Sequence, residues 1–150
     1  MLYACDEEWW ARWIDDVRET FSGELWTQSP VAERRFGVRR VAGSSKPGLS
    51  RDPEKIHTGG NSGYQAINLV YHFGVKRIVL IGFDMQRRNG RTHWHGNHPG
   101  SMNKASPYKS WVKRFGVLAQ DLKQEGVEVV NCSEHTALDC FPTARIEDVL

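Results

Sequence analysis

No stretch of this chain approaches the roughly 18 consecutive apolar residues that a helix needs to cross a bilayer, which excludes a membrane-spanning helix as the basis of its function. The opening residues, MLYACDEEWW, lack the basic-then-apolar order of a secretory signal, so the expected location is cytoplasmic. Cysteine is scarce. Cys5, Cys132 and Cys140 are odd in number and show no C-x-x-C spacing, which argues against a disulfide or metal framework and for reduced, mostly buried thiols. Net charge is also small, +2, which disfavours a nucleic-acid partner. Several catalytic signatures are missing as well: there is no G-x-S-x-G elbow, no H-E-x-x-H and no closely spaced acidic pair.

What remains is a chain of 150 residues with 39% hydrophobic content, six Trp and six Phe, the size and composition of one globular domain. Leu2 to Cys5 form a short apolar run that predicts a buried strand. Trp10, Trp13, Ile14, Val17 and Phe21 then fall on one helical stripe, preceded by the acids Asp6, Glu7 and Glu8, and they read as core rather than as a ligand platform. Ser22 to Leu25 predict a turn, RRFGVRRVA a strand, and the Gly, Ser and Pro-rich stretch from Gly43 to Pro53 a loop. A helix is expected from Asn61 or Ser62 to Phe73, closed by Gly74, and the run Ile78 to Ile81 is expected to be a parallel strand buried on both faces. After the long polar segment Met85 to Ser106, a helix opens at Ser106 and Pro107 and ends at Gly126; a strand over 127–133 and a short helix in RIEDVL complete the pattern. The fold class this predicts is α/β: a Rossmann-like open, mostly parallel sheet with helices on both faces. Ligands of such sheets lie at the carboxyl ends of the strands, which puts Asp6, Asp84 and the residues Asn131 to Ser133 on one rim.

Two motifs on that rim carry chemistry. The first is TGGNSG. Glycines at 59, 60 and 63 let backbone N–H groups approach a ligand, and the helix that follows favours negative charge; Asn61 and Ser62 add an amide and a hydroxyl. A phosphate fits there, although the motif is neither a Walker loop nor a G-x-G-x-x-G after a strand, and a plain tight turn feeding a capped helix explains the same letters. The second is RTHWHGNHPG, in which His93, His95 and His98 can serve as a general base, contact phosphate oxygens, or lie incidentally at the surface. Zinc is disfavoured, because no Cys or carboxylate lies close by and the loop is rich in Gly, so no metal or other cofactor is expected. Asp84 closes its strand at the mouth of the cleft, with Gln86 and Arg91 beyond it. The basic stretch Glu33 to Lys55, with seven basic and three acidic residues, suits a phosphorylated ligand or a solvated surface equally. Exposed aromatics or an unpaired first strand would favour a homodimer.

The order GGNSGYQAINLVYHFGVKRIVLIGFDMQ, THWHGNHP, an aromatic-rich helix, GVEVVNCS and ALDCFP resembles a group of tailed-phage proteins of unassigned activity, sometimes labelled norphogenetic protein, over most of the chain. More remotely, the layout is similar to the bacterial sialyltransferases of glycosyltransferase family 42 and to flagellin-modifying and pterin diphosphokinase-like proteins of domain of unknown function 115. In those sialyltransferases a T-S-G turn opens a helix, a strand ends in G-I-D-F, and a later S-H-Y-I-G-H carries the catalytic base; the donor is a cytidine nucleotide sugar. The resemblance implies that Ser62 matches the turn serine and Asp84 the strand-end aspartate. It places the base at His98, with Asn97 inserted, and the earlier histidine of that motif at His93. His95 is the second candidate base. Where the family holds the donor phosphate with a tyrosine, this chain has Gln86. The phage relatives also begin with a further strand and a G-x-G-x-S-like loop ahead of the segment matching LYACD. The implied version therefore lacks the first βα unit, either through truncation or because it binds its ligand without that half of the cleft. The expected activity is nucleotide-sugar-dependent glycosyl transfer, and the alternative is a non-catalytic nucleotide-binding or sequestering phage protein in the host cytoplasm.

Overall fold

Alternation decides which way each short strand faces. In the computed structural model, which describes residues 1–88, 90 and 106–150, strand β1 (Leu2–Tyr3) pairs in parallel with β2 (Leu25–Thr27), and β2 pairs in parallel with β3 (Arg39–Arg40). Leu2, Ala4, Leu25 and Val38 point to one side, onto Trp10, Ile14 and Val17 of α1 (Glu7–Thr20) and Ala32 of α2 (Pro30–Phe36). Tyr3, Trp26 and Val41 point to the other, onto Leu69 of α3 (Ser62–His72). The period of two along each strand thus gives this layer helices on both faces.

At Val41 the chain changes neighbour. The Val41 N–H donates to the Thr27 carbonyl while the Ala42 N–H already donates to Glu54, so β4 (Ala42–Ser44) continues from β3 and pairs in parallel with β5 (Lys55–His57). A separate parallel pair, β6 (Arg77–Leu80) and β7 (Glu128–Asn131), packs with α4 (Tyr108–Gln124) and the second side of α3. Its core holds Tyr64, Ile67, Leu80, Phe115, Leu118 and Leu122, the last three from α4 at helical spacing. A 3-10 turn (Ile146–Asp148) closes the chain. Among the described residues the architecture is therefore α/β, with four α-helices and short parallel ladders, and no helix is long and apolar enough to cross a membrane.

Several expectations change. The residues Arg34 to Phe36, read as strand, end α2: Ser29 caps that helix by accepting from the Ala32 N–H at 3.2 Å, Pro30 opens it, and Gly37 closes it at φ 64°. Leu25, assigned to a turn, begins β2. The stretch Gly43 to Pro53, expected to be a loop, begins inside β4 at Gly43 and Ser44 and is loop only from Ser45 on, part of it buried. Gly48, Leu49 and Ser50 are buried, because the Leu49 N–H donates to Asp121 at 2.8 Å, the Ser50 N–H to Asn68 at 2.9 Å, and Gly48 exchanges two hydrogen bonds with the Tyr64 hydroxyl. Trp13 leaves the core stripe, 38% exposed beneath the Arg12 guanidinium. Ile81 is 66% exposed rather than buried on both faces, since the ladder ends at Leu80 and β6 has one strand partner among the described residues. The three cysteines are free thiols, each half-buried.

Candidate functional site

Segments that follow β1, β5 and β6 meet the first turns of α4 at the start of α3. Asn61 is its N-cap: the side-chain oxygen accepts from the Tyr64 N–H at 3.1 Å, and its own N–H donates to the Thr58 carbonyl at 3.2 Å. That leaves the N–H groups of Ser62 and Gly63 in the first helical turn without a protein acceptor among the described residues, on the positive end of an 11-residue helix. Gly59 and Gly60 hold φ of 54° and 73°, the left-handed region that L side chains avoid.

Space is as restrictive as torsion here. A Cβ on Gly59 would lie 2.4 Å from the Tyr64 ring, one on Gly63 would lie 2.6 Å from Phe83, and one on Gly60 would lie 2.8 Å from Nη1 of Arg114. Arg114 donates from that nitrogen to the Gly59 carbonyl at 2.7 Å, which leaves the rest of its N–H fork unused in hydrogen bonds to the described residues. The indole nitrogen of Trp111 would be 3.4 Å from the same Gly60 Cβ. One side of the turn is therefore walled by two donors of α4. Neither residue stands out in the sequence, because the apolar stripe of α4 shows which face is buried but not which neighbouring element its first turns meet.

On the other side, the residue after β1 meets the turn. The Cys5 thiol lies 3.0 Å from the Ser62 hydroxyl and donates to Asp6 at 3.3 Å. Burial, with the neighbouring Asp6 carboxylate adding to it, pushes the Cys5 thiol from the ordinary 9.0 up to about 12, against the lowering effect of the Ser62 hydroxyl. Cys140 rises to about 11, again chiefly by burial. Both are protonated, slow nucleophiles at neutral pH. Titration with a chromogenic disulfide at pH 8 should label Cys5 and Cys140 much more slowly in the native protein than in denaturant; equal rates would contradict these surroundings.

The sign of the pH effect follows. Tyr3, Cys5, Tyr64 and Cys140 are all raised, foremost by burial. Each contributes stability that is complete below its ordinary value and is lost as pH climbs toward its folded value. Thermal melts between pH 7 and 11 are therefore expected to show a midpoint that holds to about pH 9 and then falls.

The strand ends on the far side of the turn do structural work. Asn131 is fully buried: its oxygen accepts from the Ser133 N–H at 3.0 Å and its amide donates to Thr136 at 3.0 Å. The Ser133 hydroxyl accepts from the Phe83 N–H at 2.7 Å, and the Asp84 carbonyl accepts from the Ala137 N–H at 2.8 Å. Asn131 and Ser133 thus fix the exit of β6, whose Phe83 and Met85 press on Gly63 and Asn61. Met85 carries φ 50°, unusual for a residue with a side chain. Asp84 is half-buried and Gln86 exposed. Arg91, His93, His95 and His98 lie outside the described residues. Of the other histidines, His57 turns Nδ1 to the Pro47 and Gly48 carbonyls and His72 turns Nε2 to the Lys55 carbonyl, so both brace backbone. Among the described residues no group of three or more His, Cys, Asp or Glu could hold a metal ion.

The basic stretch is largely neutralised in place. Arg35 pairs with Glu7, Arg39 with Glu24, Arg40 with Glu33, Arg51 with Glu125 and Lys55 with Asp52. It is an ion-paired surface, and among the described residues the cation that meets the turn is Arg114. Comparisons of the chain with family models, curated proteins and solved structures return no match.

Proposed function

We propose that this chain binds a phosphorylated small molecule, a nucleotide or nucleotide sugar, with a phosphoryl oxygen on the Gly59 to Gly63 turn. The observation that carries this reading is a run of donors at one turn: the Ser62 and Gly63 N–H groups, without a protein acceptor among the described residues, open α3 directly after Gly59 and Gly60, and the Arg114 guanidinium is bonded to the Gly59 carbonyl. In this reading the parallel ladders and their helices form a single Rossmann-like nucleotide-binding domain, with the ligand at the strand carboxyl ends.

The protein's own residues divide the work. Backbone amides orient the phosphoryl group, Arg114 offsets its charge, and Phe83 and Tyr64 fix the turn by filling the space beside Gly63 and Gly59. Turnover is the second reading. It is favoured by the way the chain leaves this rim: Phe83 and Met85 touch the turn, Asp84 lies between them, and the histidine segment follows directly in sequence. His98, with His93 or His95, would then take the proton of an acceptor hydroxyl as the donor's phosphate leaves onto the amides. Without such a base the protein is a nucleotide binder.

Calorimetric titration with a panel of nucleotides and nucleotide sugars tests the reading. Gly60→Ala should weaken binding at least about tenfold, equivalent to about 1.4 kcal/mol, because the methyl displaces Arg114. Arg114→Ala should cost about three- to tenfold and flatten the salt dependence. Unchanged affinity in both variants would remove the turn from the binding site. Donor hydrolysis measured alongside, with His98→Ala as control, separates transferase from binder.

A further inference from the structure

The carboxylate of Asp6 is placed for something other than its own helix. Asp6 is the N-cap of α1, a position where an aspartate ordinarily accepts from the second or third backbone N–H, yet its side chain makes no capping bond. It turns instead toward Cys5, accepting the thiol at 3.3 Å, while that sulfur touches the Ser62 hydroxyl at 3.0 Å on its other side. Gln28, directly after β2, leans over the same residue with its amide nitrogen 3.5 Å from the Cys5 carbonyl, a long contact that leaves its second N–H without an acceptor among the described residues. Three polar side chains from three different elements therefore surround one small half-buried residue, and Asp6 remains exposed to solvent.

We infer that this cluster is a hydroxyl-recognition subsite that selects a ligand whose phosphate is attached to a sugar with a vicinal diol. The inference rests on the phosphoryl reading of the turn, because Ser62 belongs to both: its N–H faces the anion and its hydroxyl faces Cys5. A carboxylate accepts from two adjacent hydroxyls at once, and a primary amide donates to one of their oxygens, so Asp6 and Gln28 match a diol and give nothing to an apolar or purely anionic group. The Cys5 thiol lies between the Asp6 carboxylate and the Ser62 hydroxyl and so joins this subsite to the turn. The sugar accordingly runs from the turn toward β1 and β2, away from Arg114.

Titration with inorganic phosphate, ribose 5-phosphate and 2-deoxyribose 5-phosphate tests this on the intact chain. The expected order is ribose 5-phosphate tightest, with the deoxy sugar weaker by about tenfold or more, as for a lost hydrogen bond to a charged group. Asp6→Asn should erase that difference while inorganic phosphate still binds, no more weakly than to the unaltered chain, since a nearby negative charge is removed. Gln28→Leu, which spares the charge, should reduce the difference in part, and thermal melts of both variants check that they fold. If phosphate binds but the two sugars are equal, or Asp6→Asn keeps the discrimination, the diol subsite is wrong and the anion site stands. If none of the three ligands binds, both fall together.

Discussion

Phe115→Ala is expected to lower the unfolding free energy by about 3–5 kcal/mol, the range for removing a large aromatic from a close-packed interior. Phe115 is fully buried in the middle of α4, and its ring makes edge contacts with Tyr64, Phe83 and Phe141 at centroid distances of 5.3, 6.2 and 6.4 Å. The loss should also reach the turn. Tyr64 fills the space beside Gly59 and Phe83 the space beside Gly63, so both rings that press on these glycines lean on the ring that is removed. Denaturant melts read the stability, and phosphate affinity of the folded fraction should fall as well. Phe115→Leu, which keeps most of the volume, should restore much of both.

The second large effect is expected at Asn68. Its buried side-chain oxygen accepts from the Ser50 N–H at 2.9 Å and the His57 N–H at 3.2 Å, and its amide donates to the Tyr64 carbonyl at 3.3 Å. One amide thus ties the 44–54 segment and the end of β5 to α3. Asn68→Ala leaves two backbone donors without an acceptor away from water, at about 1–3 kcal/mol each, for an expected loss of about 2–5 kcal/mol in the same melts. Asn68→Asp retains the acceptor and should be milder if the carboxylate is tolerated there. A loss under 1 kcal/mol for the alanine variant would mean that the segment finds other partners.

The legible parts of this molecule were the long ones. α1, α3 and α4 show a helical period over at least three turns, and their ends carry readable chemistry, such as Asn61 capping α3 and Gly74 and Gly126 at φ 75° and 70° after α3 and α4. The glycine turn was legible too, because positive φ and tight contacts restrict which residues can occupy Gly59 and Gly60. What escaped were three strands of three residues each, too short to display a period: β2, β4 and β5 exist because neighbouring backbones satisfy their hydrogen bonds. The role of Arg114 escaped for a related reason, since a charge on a helix says nothing about the loop it will meet. The basic stretch left a phosphorylated ligand and a solvated surface both open, and its ion pairs could not be read from it, because Glu7, Glu24 and Glu125, which pair with three of its cations, lie outside it in sequence.

Amide chemical shifts address the central claim most directly. In a nitrogen-15 correlation spectrum of the uniformly labelled protein, adding inorganic phosphate at low ionic strength is expected to move the Gly60, Ser62 and Gly63 resonances first and saturably, with Arg114→Ala shifting the midpoint to higher phosphate. Shifts that instead centre on Arg34 and Lys46, or a spectrum in which the residues of the glycine turn stay still at saturating phosphate, would contradict it.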